Sequence, residues 1–271
     1  MPSYDNPIRS LAIGSFDGMH VAHRELTALA DAVAVIERFA PVRLTPGYKR
    51  SWYCDRPMAF YLFERVRDMS AAAFVARLRE DYPRLERIVV GYDFRFGRDR
   101  EGTPRTLERL FDGEVIVVSE VTVEGISVHS RTIREYLGAG DIVMANRLLG
   151  RPYAVDGEPV PGQGLGRREF VPTVNLAVEG YQLPAEGVYA GYTILEGIRR
   201  PSVIFLGHRV STDGSYAVET HLLDGEPGVL PSRIFLEFHR FIRPNRRFGS
   251  FDALREQILR DIETARRDMA L

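Results

Sequence analysis

The stretch SLAIGSFDGMHVAH, residues 10–23, decides the fold of the first half of the chain. Its apolar start predicts a buried strand at 10–15, and the Asp17-Gly18 pair that follows is typical of a tight turn. The next residues carry apolar side chains at helical spacing and predict a helix at 24–34. A strand, a tight turn and a helix in this order indicate parallel α/β structure.

Two histidines, His20 and His23, fall at the start of that helix. Unpaired N–H groups and the positive end of the helix dipole favour anions there, and residues three apart share a helix face. Imidazole can donate to a phosphate, so the pair predicts a phosphate site, with two ordinary surface histidines as the alternative. A zinc site is disfavoured because it needs more ligands. The other histidines are scattered along the chain: His129, His208, His221 and His239.

The composition describes an ordinary globular protein of 271 residues, long enough for two domains. A net charge of −1 gives no support for a nucleic acid or anionic membrane partner. The N-terminal sequence lacks a signal-peptide pattern, and no apolar run reaches the roughly 18 residues of a membrane span. Cys54 is the only cysteine, which excludes an internal disulfide. We expect a cytoplasmic protein.

Lysine is nearly absent: Lys49 is the only one in the chain. A phosphate-binding loop of the Gly-Lys-Ser/Thr type is therefore excluded. Any phosphate bound after residue 49 must be met by arginine, by backbone N–H groups or by a metal ion.

The remaining pattern divides the chain into two halves. The first half alternates predicted helices and strands, which favours a parallel sheet. Its further elements are helices at 57–69, 71–81 and 133–149, the last ending at Gly150, and strands at 88–91 and 115–118. The second half has short strands between glycine- and proline-rich turns, which favours an antiparallel barrel. Its elements are strands at 153–156, 187–194, 202–206, 216–223 and 233–241, and a helix at 250–267 capped by Ser250. We place the domains at 1–147 and 148–271.

A second candidate site lies in the second half. Gly162, Gly164 and Gly166 form a glycine-rich loop, but the Phe-Val-Pro that follows excludes the helix of a dinucleotide fingerprint, and a flexible turn is the alternative. Thr173 and Asn175 lie two apart on an extended segment and point to one side. A hydroxyl and an amide oxygen suit Mg²⁺.

Glu219 lies within YAVETHLLD, residues 216–224, which has the alternation of a strand. A carboxylate there is either half-buried with a partner or on the solvated face. The pattern alone leaves both possibilities open.

Several segments in a fixed order resemble the bifunctional bacterial riboflavin kinase/FAD synthetases, and the resemblance covers nearly the whole chain. The segments are GSFDGMHVAH (14–23), VGYDFRFG (90–97), ISVHSRTIREYL (126–137), NRLLGRPY (146–153), PTVN (172–175) and VETHLLD (218–224). The resemblance implies an α/β nucleotidyltransferase-type parallel sheet domain followed by an antiparallel β-barrel domain with a C-terminal helix.

For the first domain the resemblance implies FMN adenylylation. The FMN phosphate attacks the α-phosphorus of ATP and expels pyrophosphate, giving FAD. His20 and His23 act as electrostatic clamps rather than nucleophiles, and Arg134 holds the pyrophosphate. Other implied contacts to the nucleotide are Gly14, Phe16, Asp17, Gly18 and Ser130. The implied flavin contacts are Asp93 and Phe94.

For the second domain the resemblance implies riboflavin phosphorylation. The glycine loop covers ATP through its backbone, Thr173 and Asn175 hold Mg²⁺, and Glu219 is the general base for the riboflavin 5′-hydroxyl. The expected ligands of the whole chain are riboflavin, FMN, FAD and ATP.

Two segments, VHSRTIR (128–134) and LGHRVST (206–212), differ from the family pattern, and so do three single positions. Ser15 replaces an asparagine, Ala22 stands where the family has the glycine of His-x-Gly-His, and Phe170 replaces a glycine before the Pro-Thr pair. These departures leave two alternatives open. One is an enzyme with a single activity and one decayed module, and the other is a flavin- or nucleotide-binding regulator without turnover.

Overall fold

The computed structural model describes residues 6–161, 171–210 and 214–270. The chain separates into two compact units, Met1–Ser130 and Arg131–Leu271. The division of the two activities at 147 and 148 stays a prediction.

Five parallel strands form the sheet of the first unit, in the spatial order β3-β2-β1-β4-β5. They are β1 (Ser10–Gly14), β2 (Ala32–Glu37), β3 (Met58–Leu62), β4 (Arg87–Gly91) and β5 (Glu114–Val118). β1, β2 and β4 are buried along most of their length, as expected for strands covered on both faces. The parallel sheet predicted from the sequence is confirmed.

Helices and a small hairpin complete this unit. They are α1 (Val21–Ala28), a 3₁₀ helix (Gly47–Tyr53), α2 (Phe63–Val66), α3 (Ala71–Asp81), a 3₁₀ turn (Arg98–Arg100), α4 (Pro104–Leu110), and the hairpin strands β6 (Thr122–Val123) and β7 (Ile126–Ser127). Alternate residues of β1 enter two separate hydrophobic clusters. Leu11 packs in the cluster of Phe74 from α3, and Ala12 packs in that of Leu26 from α1.

Three predicted helices differ from the structure. The helix at 24–34 is wrong beyond Ala28, because the β-branched run that begins at Ala32 pairs with β1 as a strand. The helix at 57–69 is wrong in its first part, where β3 pairs with β2 at the sheet edge. Short apolar runs of this kind do not distinguish a strand from a helix by periodicity alone.

The helix at 133–149 is two helices, α5 (Ser130–Gly138) and α6 (Ile142–Leu149). Gly140 between them has φ +78°, a conformation that an α-helix does not contain. Asp141 then caps α6, with its Oδ1 accepting from the Met144 N–H at 3.0 Å. Gly150 ends α6 in the left-handed conformation, as predicted.

The second unit contains a closed barrel with the strand order β10-β11-β12-β9-β8-β13. The strands are β8 (Tyr153–Val160), β9 (Val174–Ala177), β10 (Gly187–Leu195), β11 (Ile198–His208), β12 (Tyr216–Leu222) and β13 (Ile234–Pro244), and they pair antiparallel. The helix α7 (Phe251–Asp268) follows, with Ser250 as its N-cap. The buried Asp261 of α7 accepts hydrogen bonds from Arg243 of β13 at 2.8–3.0 Å. The predicted barrel and terminal helix are confirmed.

None of the helices among the described residues combines the length and apolar character needed to cross a membrane.

Candidate active sites

The first site lies where the connections of the sheet change direction. β1 has β2 on one side and β4 on the other. The chain leaves β1 toward β2, whereas β4 begins the part of the sheet on the opposite side. The carboxyl ends of β1 and β4, at Gly14 and Gly91, therefore border a crevice of the kind that binds ligands in open α/β sheets.

The loop that leaves β1 has an unusual backbone. Phe16, Gly18 and Met19 have φ values of +51°, +90° and +44°, and such angles in non-glycine residues cost about 1–3 kcal/mol each and cluster at functional sites. The side chains of Phe16 and Met19 are fully buried in the core, which holds the strained backbone in place.

Asp17 fixes this loop to the segment that follows β2. Its buried carboxylate accepts from the backbone N–H groups of Leu44 at 3.3 Å and Thr45 at 3.0 Å. Its carbonyl accepts from the Ser130 hydroxyl at 2.8 Å. The carboxylate thus anchors the loop to the segment after β2. Direct contact of Asp17 with a nucleotide stays a prediction, as it does for Gly14, Phe16, Gly18 and Ser130.

His20 and His23 come together at the start of α1, as their spacing predicts. Their rings stack at 3.5 Å between centroids and 17° between planes. His20 is the N-cap, and its Nδ1 accepts from the backbone N–H of His23 at 3.4 Å. Neutral His20 therefore carries its proton on Nε2. Ala22 lies in the helical first turn of α1, where alanine is compatible with the backbone.

His23 is electrostatically distinct. Burial, and then the positive charges of His20, Arg50 and His129, hold the pKa of His23 well below its ordinary 6.5. Its Nδ1 is buried and has no hydrogen-bond partner among the described residues. The ring is thus neutral near pH 7, with a buried polar atom available to a ligand.

The predicted flavin contacts lie after β4. The Asp93 carboxylate is exposed and lies 4.0 Å from His129 Nδ1. The Phe94 ring stacks on Phe96 and packs against the core, so it is only partly available to a ligand. Tyr92, which the motif reading missed, is 42% exposed and its hydroxyl lies 3.3 Å from His129 Nε2.

Arg134 is on the face of α5 that also carries Ser130, one helical turn earlier. Arg134 belongs to the second compact unit. Its role toward the pyrophosphate stays a prediction.

The second site lies on the outside of the barrel, where β9 and β12 pair. Asn175 and Glu219 are direct cross-strand partners, so their side chains leave the sheet on the same face. Thr173 precedes β9 and alternates with the inward Val174, which puts it on that face as well. The structure thus brings together Thr173, Asn175 and Glu219.

Arg209 joins these residues, and the sequence reasoning missed it. Its Nε donates to Glu219 Oε1 at 2.7 Å, and its Nη2 donates to Asn175 Oδ1 at 2.5 Å. The ion pair is about four-fifths buried on both sides. Glu219 is therefore half-buried with a partner, which decides between the two possibilities left open by the sequence. The sequence signal for Arg209 was the absence of lysine from this half of the chain, which leaves arginine to contact phosphates.

His221 fixes the segment before β9. Its Nδ1 lies 2.8 Å from the carbonyl oxygen of Pro172, the residue before Thr173. The glycine loop with Gly162, Gly164 and Gly166 lies outside the described residues.

The second unit also has a cleft of about 610 Å³, lined by Glu186, Val210, Pro244, Asn245, Arg246 and Arg247. Its volume is in the range of small-molecule sites. One of its lining residues, Val210, follows Arg209 directly in the chain.

The oxygen atoms of Thr173 and Asn175 are hard ligands of the kind Mg²⁺ prefers. No group of three or more acidic, histidine or cysteine side chains in the described part of the chain could hold a metal by itself. The donor set therefore fits a cation that keeps phosphate oxygens and waters as its other ligands. The Arg209 guanidinium, which donates to the same Asn175 oxygen, would oppose a cation at that atom by charge repulsion.

Comparisons with known proteins assign a family to each half of the chain. Residues 149–269 match the family model for riboflavin kinase, and residues 54–132 match that for FAD synthetase. The bifunctional riboflavin kinase/FMN adenylyltransferase of Pseudomonas fluorescens is 32% identical over 94% of this chain and 91% of its own length. The protein of that name from Escherichia coli K12 is 30% identical with the same coverage. A crystal structure described as a macrolide-efflux protein from Streptococcus pneumoniae has a TM-score of 0.85 at 25% identity, covering 96% of this chain and 95% of that one.

Proposed function

The chain belongs to the bifunctional riboflavin kinase/FMN adenylyltransferase family, and from this premise we propose which of its residues carry each step. Its two activities are the ATP-dependent phosphorylation of riboflavin to FMN and the adenylylation of FMN to FAD. The residue assignments below, and the use of Mg²⁺, are our proposals.

The stacked histidine pair carries the assignment of the adenylyltransferase site. The stacked rings of His20 and His23 lie together at the N-terminus of α1. An edge N–H can donate to a phosphate oxygen, and the helix dipole adds a favourable field. We propose that the pair binds the α-phosphate of ATP while an FMN phosphate oxygen attacks it.

The neutral state of His23 suits this role. Burying a neutral imidazole costs less free energy than burying a charged one while ATP is absent. A neighbouring triphosphate would raise the pKa of the ring and favour its cationic form. His23 thus gains positive charge when negative charge is present, and the two histidines stabilise the transition state without bonding to phosphorus.

Asn175 and Glu219, facing each other across β9 and β12, carry the assignment of the kinase site. Glu219 accepts the proton of the riboflavin 5′-hydroxyl as that oxygen attacks the γ-phosphorus of ATP, and ADP leaves. Thr173 and Asn175 hold Mg²⁺, which when bound neutralises charge on the transferred phosphoryl group.

Arg209 changes partners in this proposal. With no lysine in this half of the chain, a guanidinium is the available side-chain cation for the phosphates. Nη2 of Arg209 would be available to a phosphate oxygen if Asn175 held a metal ion in place of the guanidinium. The same displacement of Arg209 would release Glu219 for proton transfer.

We propose that riboflavin occupies the cleft beside Val210. The cleft is large enough for a flavin, and it adjoins the residue that contacts Glu219. The ribityl chain can then extend from the cleft toward the general base.

A two-substrate product assay tests the assignment of function. The purified full-length chain is given riboflavin with ATP and Mg²⁺, or FMN with ATP and Mg²⁺, and products are separated by chromatography. We expect FMN and FAD from the first mixture and FAD from the second. Absence of FAD from both would remove the adenylyltransferase assignment, and recovery of riboflavin alone from the first would remove the kinase assignment.

A further inference from the structure

Two arginines at the carboxyl end of β2 share a single carboxylate. Glu37, the last residue of β2, forms ion pairs with Arg50 Nη1 and with Arg43 Nε, the latter at 3.7 Å. Arg50 is 0% exposed, and the Arg43 side chain is 12% exposed. Two buried positive charges therefore face one negative charge.

Several donors of these arginines are unused. The Nε of Arg50 and both Nε and Nη2 of Arg43 are buried without a hydrogen-bond partner among the described residues. Buried charged donors are normally paired, because an unpaired one loses its hydration without compensation. A surplus of positive charge and of buried donors at one place makes this position suited to an anion.

The arginines lie at the same edge of the sheet as the histidine pair. Val35 is paired in register with Gly14, so Glu37 extends beyond the carboxyl end of β1. Asp17 ties the histidine loop to Leu44 and Thr45, the residues directly after Arg43. The charge of Arg50 is also one of those that lower the pKa of His23.

We infer that Arg43 and Arg50 form a phosphate subsite of the adenylyltransferase site, which extends the anion site of His20 and His23. The ligand is a phosphate group of one of the two substrates, either the terminal phosphates of ATP or the phosphate of FMN. Guanidinium groups suit it because their paired N–H donors match phosphate oxygens. This inference rests on the proposed function of the histidine site. Glu37 keeps both side chains oriented and competes with the phosphate for them.

The experiment compares four variants of the full-length chain with wild type: Arg43→Gln, Arg50→Gln, Glu37→Gln and the control Arg56→Gln. Arg56 lies in the same segment, and its side chain is 41% exposed beside the exposed Asp55. Binding of inorganic pyrophosphate is measured by calorimetry, and the KM values for ATP and FMN are measured in FAD formation. Riboflavin kinase activity and circular dichroism report that each variant is folded.

If the subsite takes the ATP phosphates, Arg43→Gln and Arg50→Gln weaken pyrophosphate binding and raise the KM for ATP by tenfold or more. If it takes the FMN phosphate, the KM for FMN rises by that factor and pyrophosphate binding is unchanged. In both cases Glu37→Gln changes the affected binding constant or KM severalfold in the opposite direction. Arg56→Gln leaves pyrophosphate binding and both KM values within twofold of wild type.

Two results would overturn the inference. One is that pyrophosphate binding and both KM values stay within twofold in folded arginine variants. The other is that Glu37→Gln weakens binding as the arginine variants do. A purely structural ion-pair network would be weakened by any of the three substitutions, and binding would fall in each variant. If Arg50→Gln does not fold, the variants of the less buried Arg43 and of Glu37 still test the inference, because opposite effects are expected from them. Pyrophosphate binding needs no turnover, so it separates this inference from a failure of FAD synthesis.

Discussion

Asn175 and Glu219 are direct partners in the register of β9 and β12, and one guanidinium, that of Arg209, donates to both. A proposed metal ligand and a proposed base therefore share one cation in the ligand-free state. Substrate binding at one of them must affect the other. This coupling gives the kinase site its most direct tests.

Replacing Glu219 with glutamine removes the base and keeps the shape of the side chain. General-base catalysis contributes about 10²–10⁴-fold to a rate, so we expect FMN formation from riboflavin to fall by that factor. FAD formation from added FMN should be unchanged. The exposed Glu226→Gln is the matched control, and loss of both activities in a folded Glu219→Gln protein would contradict separate sites.

Replacing Arg209 with glutamine should separate metal binding from turnover. A hydrogen bond to a charged group is worth about 1.5–3 kcal/mol, so the Mg²⁺ concentration needed for half-maximal phosphorylation should fall about tenfold or more. The kcat for riboflavin should fall as well, because a phosphate contact is lost. An unchanged Mg²⁺ dependence would show that Arg209 does not compete at Asn175.

Removing both imidazoles, in His20→Ala with His23→Ala, should give the reverse of the Glu219 variant. Loss of preorganised donors at a developing charge costs about 10²–10³-fold in kcat, so FMN should accumulate from riboflavin and ATP. Chromatography of the products measures this. Normal FAD yield from the folded double variant would show that the pair is not part of the site.

The buried histidine predicts a pH-dependent stability. Because the pKa of His23 is lowered in the folded protein, the unfolded chain binds the extra proton below pH 6.5. The contribution of neutral His23 is fully present above pH 6.5 and is lost as the pH falls toward the lowered pKa. His23→Gln should flatten the acid side of the unfolding free-energy profile measured in urea. Arg131→Gln, which changes an exposed side chain, is the control and should retain the wild-type slope.

Removing the Asp17 carboxylate should lower the unfolding free energy and disturb the adenylyltransferase site. Asp17→Ala leaves two buried N–H groups, those of Leu44 and Thr45, without their acceptor. We expect a loss of about 1–3 kcal/mol in unfolding free energy, with FAD formation lost and riboflavin phosphorylation retained. Asp17→Asn keeps one acceptor oxygen and should recover part of both. Equal stability of the alanine variant in chemical denaturation would contradict this role.

The sequence predicted the features that depend on local pattern. The strand, turn and paired histidines of residues 10–23 are adjacent in the chain, and so are Thr173 and Asn175. The contact of Arg209 with Asn175 depends on the pairing of β9 with β12, two strands that the chain brings together over a long separation, and no local spacing encodes it. The burial of Arg50 runs against the usual exposure of arginine. β2 and β3 were misjudged because pairing with neighbouring strands of the sheet, rather than periodicity, decides their conformation.

The 3₁₀ helix Gly47–Tyr53 places Arg50 between Lys49, the sole lysine, and Trp52, the sole tryptophan. The Lys49 ammonium lies 5.7 Å from the centre of the Trp52 indole, which is 37% exposed. The natural chain therefore carries one indole and one lysine side-chain amine, both on the turn that holds Arg50. Indole emission, or a dye attached at that amine, would report ligand binding beside Arg50 without any engineered residue.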